Sequence, residues 1–124
     1  MRVTSSAISL TVPDAAASAA FWRDRLGFRV ETEGDGFVSL TRDDTGMAVV
    51  FLDQGRPTVP AERSAGVVVT YAVDDLEGEM TWLEAEGVEI TMPLTVERWG
   101  ERAFQVSDPN GVVVQLVDRN GPTA

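Results

Sequence analysis

The feature that most constrains this chain is that its two halves are written in the same order. Residues Ala7–Val12 alternate apolar and polar, as a half-buried strand does. Asp14, after Pro13, stands where a helix N-cap belongs. Ala15, Ala19, Trp22 and Leu26 then recur at helical spacing, and Gly27 supplies a C′ residue. Strand-like runs follow at residues 28–33, 37–42 and 47–53, separated by Gly34-Asp35-Gly36 and by a turn at 43–46. After residues 54–65, with Gly55, Pro57 and Pro60 and no periodicity, the pattern restarts. Residues 66–73 read as a strand, Asp75 as an N-cap, and Leu76, Met80 and Leu83 as a helical stripe that Gly87 stops. Residues 88–92 read as a strand and 93–100 as an irregular loop, and the last two strands are 103–107 and 112–117.

The expectation is an α+β fold: a first βαβββ module over 1–53, a linker over 54–65 and a second module over 66–124, within one compact domain. Residue by residue, Val12, Asp14, Trp22, Gly27 and Val30 align with Val73, Asp75, Trp82, Gly87 and Ile90. The offset drops from 61 to 60 between the second pair and the third, which places one deletion inside the helix. The paired tryptophans then read as packing residues.

The last two strands are joined by Asp108-Pro109-Asn110-Gly111. Pro109 presets φ, Asn110 suits the next turn position, and Gly111 takes φ > 0 without a Cβ clash. Alternation puts Phe104, Val106, Val112, Val114 and Leu116 on one face of this hairpin. Ala103, Gln105, Val113, Gln115 and Val117 fall on the other. Two amides on a mostly apolar face suit the lining of a ligand cavity. From spacing alone, the plainer reading, a hairpin with one wet face, is favoured over a cavity lining.

Composition excludes much chemistry. The chain has no His, no Cys and no Lys, and its ten basic residues are all Arg. A Ser-His-Asp or Cys-His nucleophile, a Schiff-base lysine and a metal site built on imidazole or thiolate are therefore absent from its repertoire. The net charge of −10 argues against nucleic acid and anionic membrane as partners; it fits a cationic ligand, and equally an acidity that only keeps the chain soluble. No apolar run is long enough to span a bilayer, and residues 1–14 lack the apolar core of a signal peptide, so a cytoplasmic location is expected.

Two motifs sharpen this. The first helix reads D-x-x-x-S-x-x-F-W-x-D-x-L-G-F from Asp14 to Phe28, and the terminal hairpin reads D-P-N-G-V-x-x-Q-L from Asp108 to Leu116. With the βαβββ repeat, the chain resembles the glyoxalase/bleomycin resistance/extradiol dioxygenase superfamily, the vicinal oxygen chelate proteins, over essentially its whole length. The resemblance implies two modules whose sheets curl into a cup around a ligand site, often in a homodimer. It also implies metal-ligand positions, of which three fall on Ala7, Val68 and Gln115. Two of these have no donor atom, so the chain resembles the scaffold without its chelate chemistry. In this it is similar to the metal-free, antibiotic-binding branch, whose acidic members sequester cationic drugs in an aromatic-lined cleft.

The resemblance implies that Ala7, Ser9 and Thr11, Val68, Thr70 and Ala72, and Ala103, Gln105, Val113 and Gln115 face the cup. The binding residues expected from it are Ser9, Thr11, Thr70, Gln105 and Gln115, with Trp99 as a rim aromatic that stacks on a ligand or packs on a partner subunit. No cofactor and no catalytic residue are expected. The leading expectation is a homodimeric small-molecule binder, its ligand an antibiotic or metabolite of cationic or aromatic character. Two alternatives stand beside it: a lyase-, isomerase- or dioxygenase-like enzyme with a non-standard site, and a structural or regulatory subunit with a filled cup. Arg102 is expected to pair with a nearby carboxylate.

Overall fold

The computed structural model describes residues 1–53, 67–96 and 101–118. The chain divides into two compact units, Met1–Ala65 and Gly66–Ala124. Each unit is a four-stranded mixed sheet backed by one helix. The expected linker, residues 54–65, lies outside the described residues, as does Trp99.

The first unit runs β1 (Ala7–Val12), α1 (Ala15–Leu26), β2 (Arg29–Gly34), β3 (Phe37–Thr41) and β4 (Ala48–Asp53). Its sheet order is β1-β4-β3-β2, with β1 parallel to β4 and the other pairs antiparallel. The helix starts where two carboxylates converge on its free N–H groups. Asp14 Oδ1 accepts from Ala17 N at 3.1 Å, and Asp53 Oδ1, at the end of β4, accepts from Ala15 N at 2.8 Å. It stops at Gly27, whose φ of 74° lets the chain turn back. The buried face of α1 is Ala15, Ser18, Ala19 and Trp22. Trp22 is fully buried and meets Phe28 and Phe51 edge-on, with ring centroids 5.1 and 5.4 Å apart. Leu40, Val49 and Phe51 complete this core, buried between α1 and one face of the sheet.

The second unit runs β5 (Val68–Ala72), α2 (Leu76–Ala85), β6 (Ile90–Val96), β7 (Arg102–Ser107) and β8 (Val113–Asp118). Its sheet order, β5-β8-β7-β6, is that of the first unit, again with one parallel pair, β5 with β8. Asp75 caps α2 through Gly78 N at 3.1 Å. Its core joins Leu76 and Leu83 of the helix to Val69, Phe104, Val106, Val114 and Leu116 of the sheet.

The repeat extends to irregularities. The β2–β3 register slips between Val30 and Thr32, and the β6–β7 register slips between Ile90 and Met92, the equivalent place. Two expectations need correction. Residues 93–96 belong to β6 rather than to a loop. Pro93 is accommodated because β6 is an edge strand, and a second register shift falls between Met92 and Thr95. The tryptophans are not equivalent either. Phe28 N donates to Trp22 O at 3.1 Å, whereas Val88 N donates to Leu83 O at 2.9 Å. Leu83 therefore takes the place of Trp22, the missing residue lies in the last turn of α2, and Trp82 takes the place of Phe21. Trp82 is 45% exposed and is not a packing residue within this unit.

Candidate functional site

Strand pairing turns isolated polar residues into rows. In the second unit, Thr70 is in register with Gln115, Gln115 with Gln105, and Gln105 with Met92. One row thus crosses all four strands on the face opposite α2. Within it, Gln105 Nε2 donates to Gln115 Oε1 at 2.8 Å. Gln105 keeps its Oε1 as an acceptor, and Gln115 keeps its Nε2 hydrogens as donors. Thr70, exposed on the edge strand, adds a hydroxyl beside Gln115.

This face is not wet along its length, as spacing alone would allow. Ala103 and Val117, in register one step along, are fully buried, the two glutamines are half-buried, and Val68 is 50% exposed. The face grades from apolar and closed at one end to open at the other.

The first unit repeats the arrangement with smaller groups. Ser9 is in register with Val50, Val50 with Ser39, and Ser39 with Thr32. One step along, Thr11, Leu52, Phe37 and Gly34 make a second row. Phe37 leans over Gly34, where a Cβ would meet its ring at 2.4 Å, so Gly34 is the residue that admits the aromatic. Ser39 and Phe37 share the rows of Ser9 and Thr11 but do not stand out in the sequence. Alternation assigns a side chain to one face of its own strand, and only cross-strand register shows which residues sit beside each other.

Thr70, Gln105 and Gln115 are thus brought into one row, and Ser9 and Thr11 occupy successive positions on the matching face of the other unit. Trp99 lies outside the described residues. Beside the terminal hairpin, Arg102 donates to Asp118 at 2.6 Å and pairs with Glu77 of α2 at 3.0 Å. Its hydrogen bond to Asp118 first, and that to Glu77 second, raise its already high pKa. Arg102 therefore ties the helix to the sheet.

An open groove of about 340 Å³ in the first unit is lined by Gly27, Arg29, Thr41, Arg42, Asp43 and Asp44. None of the row residues lines it. Arg29 is bonded to Asp43 and Arg42 to Asp44, and Arg42 also donates to Leu26 O and lies 5.7 Å from the Phe28 ring centre. These charges fasten the end of α1 to the sheet and do not form a free ion site.

A family model described as the Glyoxalase/Bleomycin resistance protein/Dioxygenase superfamily matches residues 4–116. The chain belongs to this superfamily. Three solved structures illustrate the shared fold. A superfamily member from Sphaerobacter thermophilus DSM 20745 is 22% identical, with 95% of this chain and 98% of that one covered at a TM-score of 0.78. Lactoylglutathione lyase from Agrobacterium tumefaciens is 17% identical, with 92% of each chain covered at 0.76. TioX from Micromonospora sp. ML1 is 22% identical, with 94% and 98% covered at 0.74. No curated protein sequence matches the chain.

The superfamily resemblance implies a metal at positions occupied here by Ala7, Val68 and Gln115. The side chains do not fit one. Ala7 and Val68 offer no donor, and the Gln115 carbonyl already accepts from Gln105. Among the described residues, no group of three or more His, Cys, Asp or Glu is placed to hold an ion. The Ala7 partner across the sheet is Ala48, which adds no donor.

Proposed function

We propose that this superfamily member binds an uncharged region of a small molecule through amides and hydroxyls, without a metal. The carrying observation is the Gln105–Gln115 pair at a position where the family implies a chelating carboxylate. A neutral amide that already bonds to a second amide orients a ligand by donor and acceptor matching, not by Lewis-acid polarisation. In the second unit the proposed contacts are Thr70, Gln105 and Gln115, in the first unit Ser9 and Thr11, each row taken by itself, and Trp99 is proposed as a stacking aromatic. Apolar neighbours such as Phe37, Val50 and Met92 supply the nonpolar lining that small-molecule sites need. The net charge of −10 favours a ligand that carries a cation elsewhere, such as a basic antibiotic or secondary metabolite. The working form is a homodimer.

A thermal-shift screen of cationic and aromatic natural products against the wild-type chain and Gln115→Leu tests this reading. The expected result is at least one compound that raises the wild-type Tm and fails to raise that of the variant. Compounds that stabilise both proteins equally would show that the amide row is not the site.

A further inference from the structure

The helix on the other side of the second sheet carries a feature that its packing does not explain. Trp82 is 45% exposed at the start of the last turn of α2, while Leu76 and Leu83 carry the buried stripe. A solvent-facing helix position is better served by Ala, Glu or Arg than by Trp. The indole is also left uncovered by its helical neighbours. Gly78 stands four residues before it and Ala85 three after. Gly78 is required by the cap, because a Cβ there would lie 2.2 Å from Asp75 Oδ2.

A second local rule is broken on the same helix. Residues 74–89, DDLEGEMTWLEAEGVE, hold seven acidic residues and no basic one. The last turn of α2 has no basic residue to complement the helix dipole, and Glu84 and Glu86 oppose it, whereas α1 ends with Arg23 and Arg25. Glu77 is matched by Arg102. Glu79, three residues before Trp82, and Glu86, four after, flank the indole at helical spacing. Departures from local rules without a packing gain mark surfaces that serve something else.

We propose that the α2 face centred on Trp82 is a docking surface for an arginine-bearing segment of another protein. Charge selects a cationic partner. A second copy of this chain brings the same acidic helix and the same net charge of −10, so it is the disfavoured occupant. The face is a convex helix surface, which suits a polypeptide more than a small molecule. Among cations, guanidinium is the better fit. It stacks flat on an indole and donates in a fork to a flanking carboxylate such as that of Glu79, a geometry an ammonium does not offer.

The test uses the full-length chain with fluorescein-labelled octa-arginine and octa-lysine peptides, read by fluorescence anisotropy. The expected result is that octa-arginine binds more tightly than octa-lysine. Trp82→Ala weakens octa-arginine at least tenfold with Tm unchanged, Trp82→Phe retains part of the affinity, and Glu79→Gln weakens it several-fold. Equal binding of both peptides, or equal binding by Trp82→Ala and wild type, would reduce the interaction to general attraction to an acidic protein and overturn the proposal. So would no binding at all. Sedimentation supplies the remaining arm: a wild-type dimer that Trp82→Ala converts to monomer would assign the face to a second copy instead.

Discussion

Gln105 Nε2 donates to Gln115 Oε1 at 2.8 Å across the antiparallel pair β7–β8, in a row that also contains Thr70. The bond fixes which atoms remain for a ligand, and it has a consequence for stability. A hydrogen bond between neutral groups contributes about 1 kcal/mol net, and replacing both partners by apolar groups of similar shape is close to neutral. Gln105 is only half-buried, so its amide can turn to water when its partner is lost, and Gln115→Leu alone is expected to change stability by no more than about 1 kcal/mol. The double replacement Gln105→Leu with Gln115→Leu is expected to be neutral or stabilising while abolishing ligand-induced shifts. Urea denaturation of the three proteins checks this. Unfolding of the single variant at ambient temperature would make the pair a structural core element.

The turn at Gly111 predicts the opposite behaviour. Gly111 has φ 85°, and its N–H donates to Asp108 O at 3.0 Å. The Asp108 carboxylate, buried beneath the turn, accepts from Asn110 N and Val112 N at 2.8 and 3.0 Å. Beyond Gly111 itself and its two chain neighbours, no atom lies within 4 Å of where a Gly111 Cβ would be, so a substitution meets conformational strain and no clash. Gly111→Val is expected to cost about 1–3 kcal/mol, and Gly111→Asn distinctly less, because Asn tolerates the left-handed region. Equal costs for the two would show that side-chain volume, not φ, limits the site.

The two helix tryptophans make a matched pair of variants. Trp22 is fully buried against Phe28 and Phe51, so Trp22→Ala is expected to cost about 3–5 kcal/mol. Trp82→Ala is expected to stay within about 0.5 kcal/mol of wild type, as exposed substitutions do. Chemical denaturation separates these outcomes. A large loss for Trp82→Ala would mean that the indole is covered in solution.

Assembly is the fourth expectation. Each sheet has two edge strands within its unit, β1 and β2 in one, β5 and β6 in the other. Exposed edges invite pairing, and a dimer is one way of covering them. Light scattering coupled to size-exclusion chromatography is expected to give twice the mass of one chain, 13.4 kDa, at micromolar concentration. A single-chain mass would remove the homodimer from the account.

What was legible in the sequence was local. Asp14, Gly27, Asp75 and the Asp108–Gly111 turn each act through backbone groups a few residues away, and each does in the structure what its residue type favours. The order of strands and helices followed from the repeat. Residues 93–96 read as a loop because tolerance of proline depends on being at a sheet edge, which is a property of pairing. Trp82 was misplaced because identical residues align more readily than equivalent ones. The helix kept its buried stripe at Leu76 and Leu83 and lost a residue in its last turn. The partners of the site residues were hidden for the same reason as Pro93. Thr70 and Gln115 are 45 positions apart in the sequence, and only the parallel β5–β8 pairing makes them neighbours.

The superfamily scaffold is proposed here to work through neutral amides and hydroxyls without a metal. The most direct test of this proposal is elemental analysis of the purified protein, incubated in turn with excess Fe(II), Ni(II), Zn(II) and Mn(II) and then dialysed. Far less than one equivalent of any metal per chain is expected, because Ala7 and Val68 have no donor and Gln115 is already engaged. One retained equivalent of any of these metals per chain would contradict it.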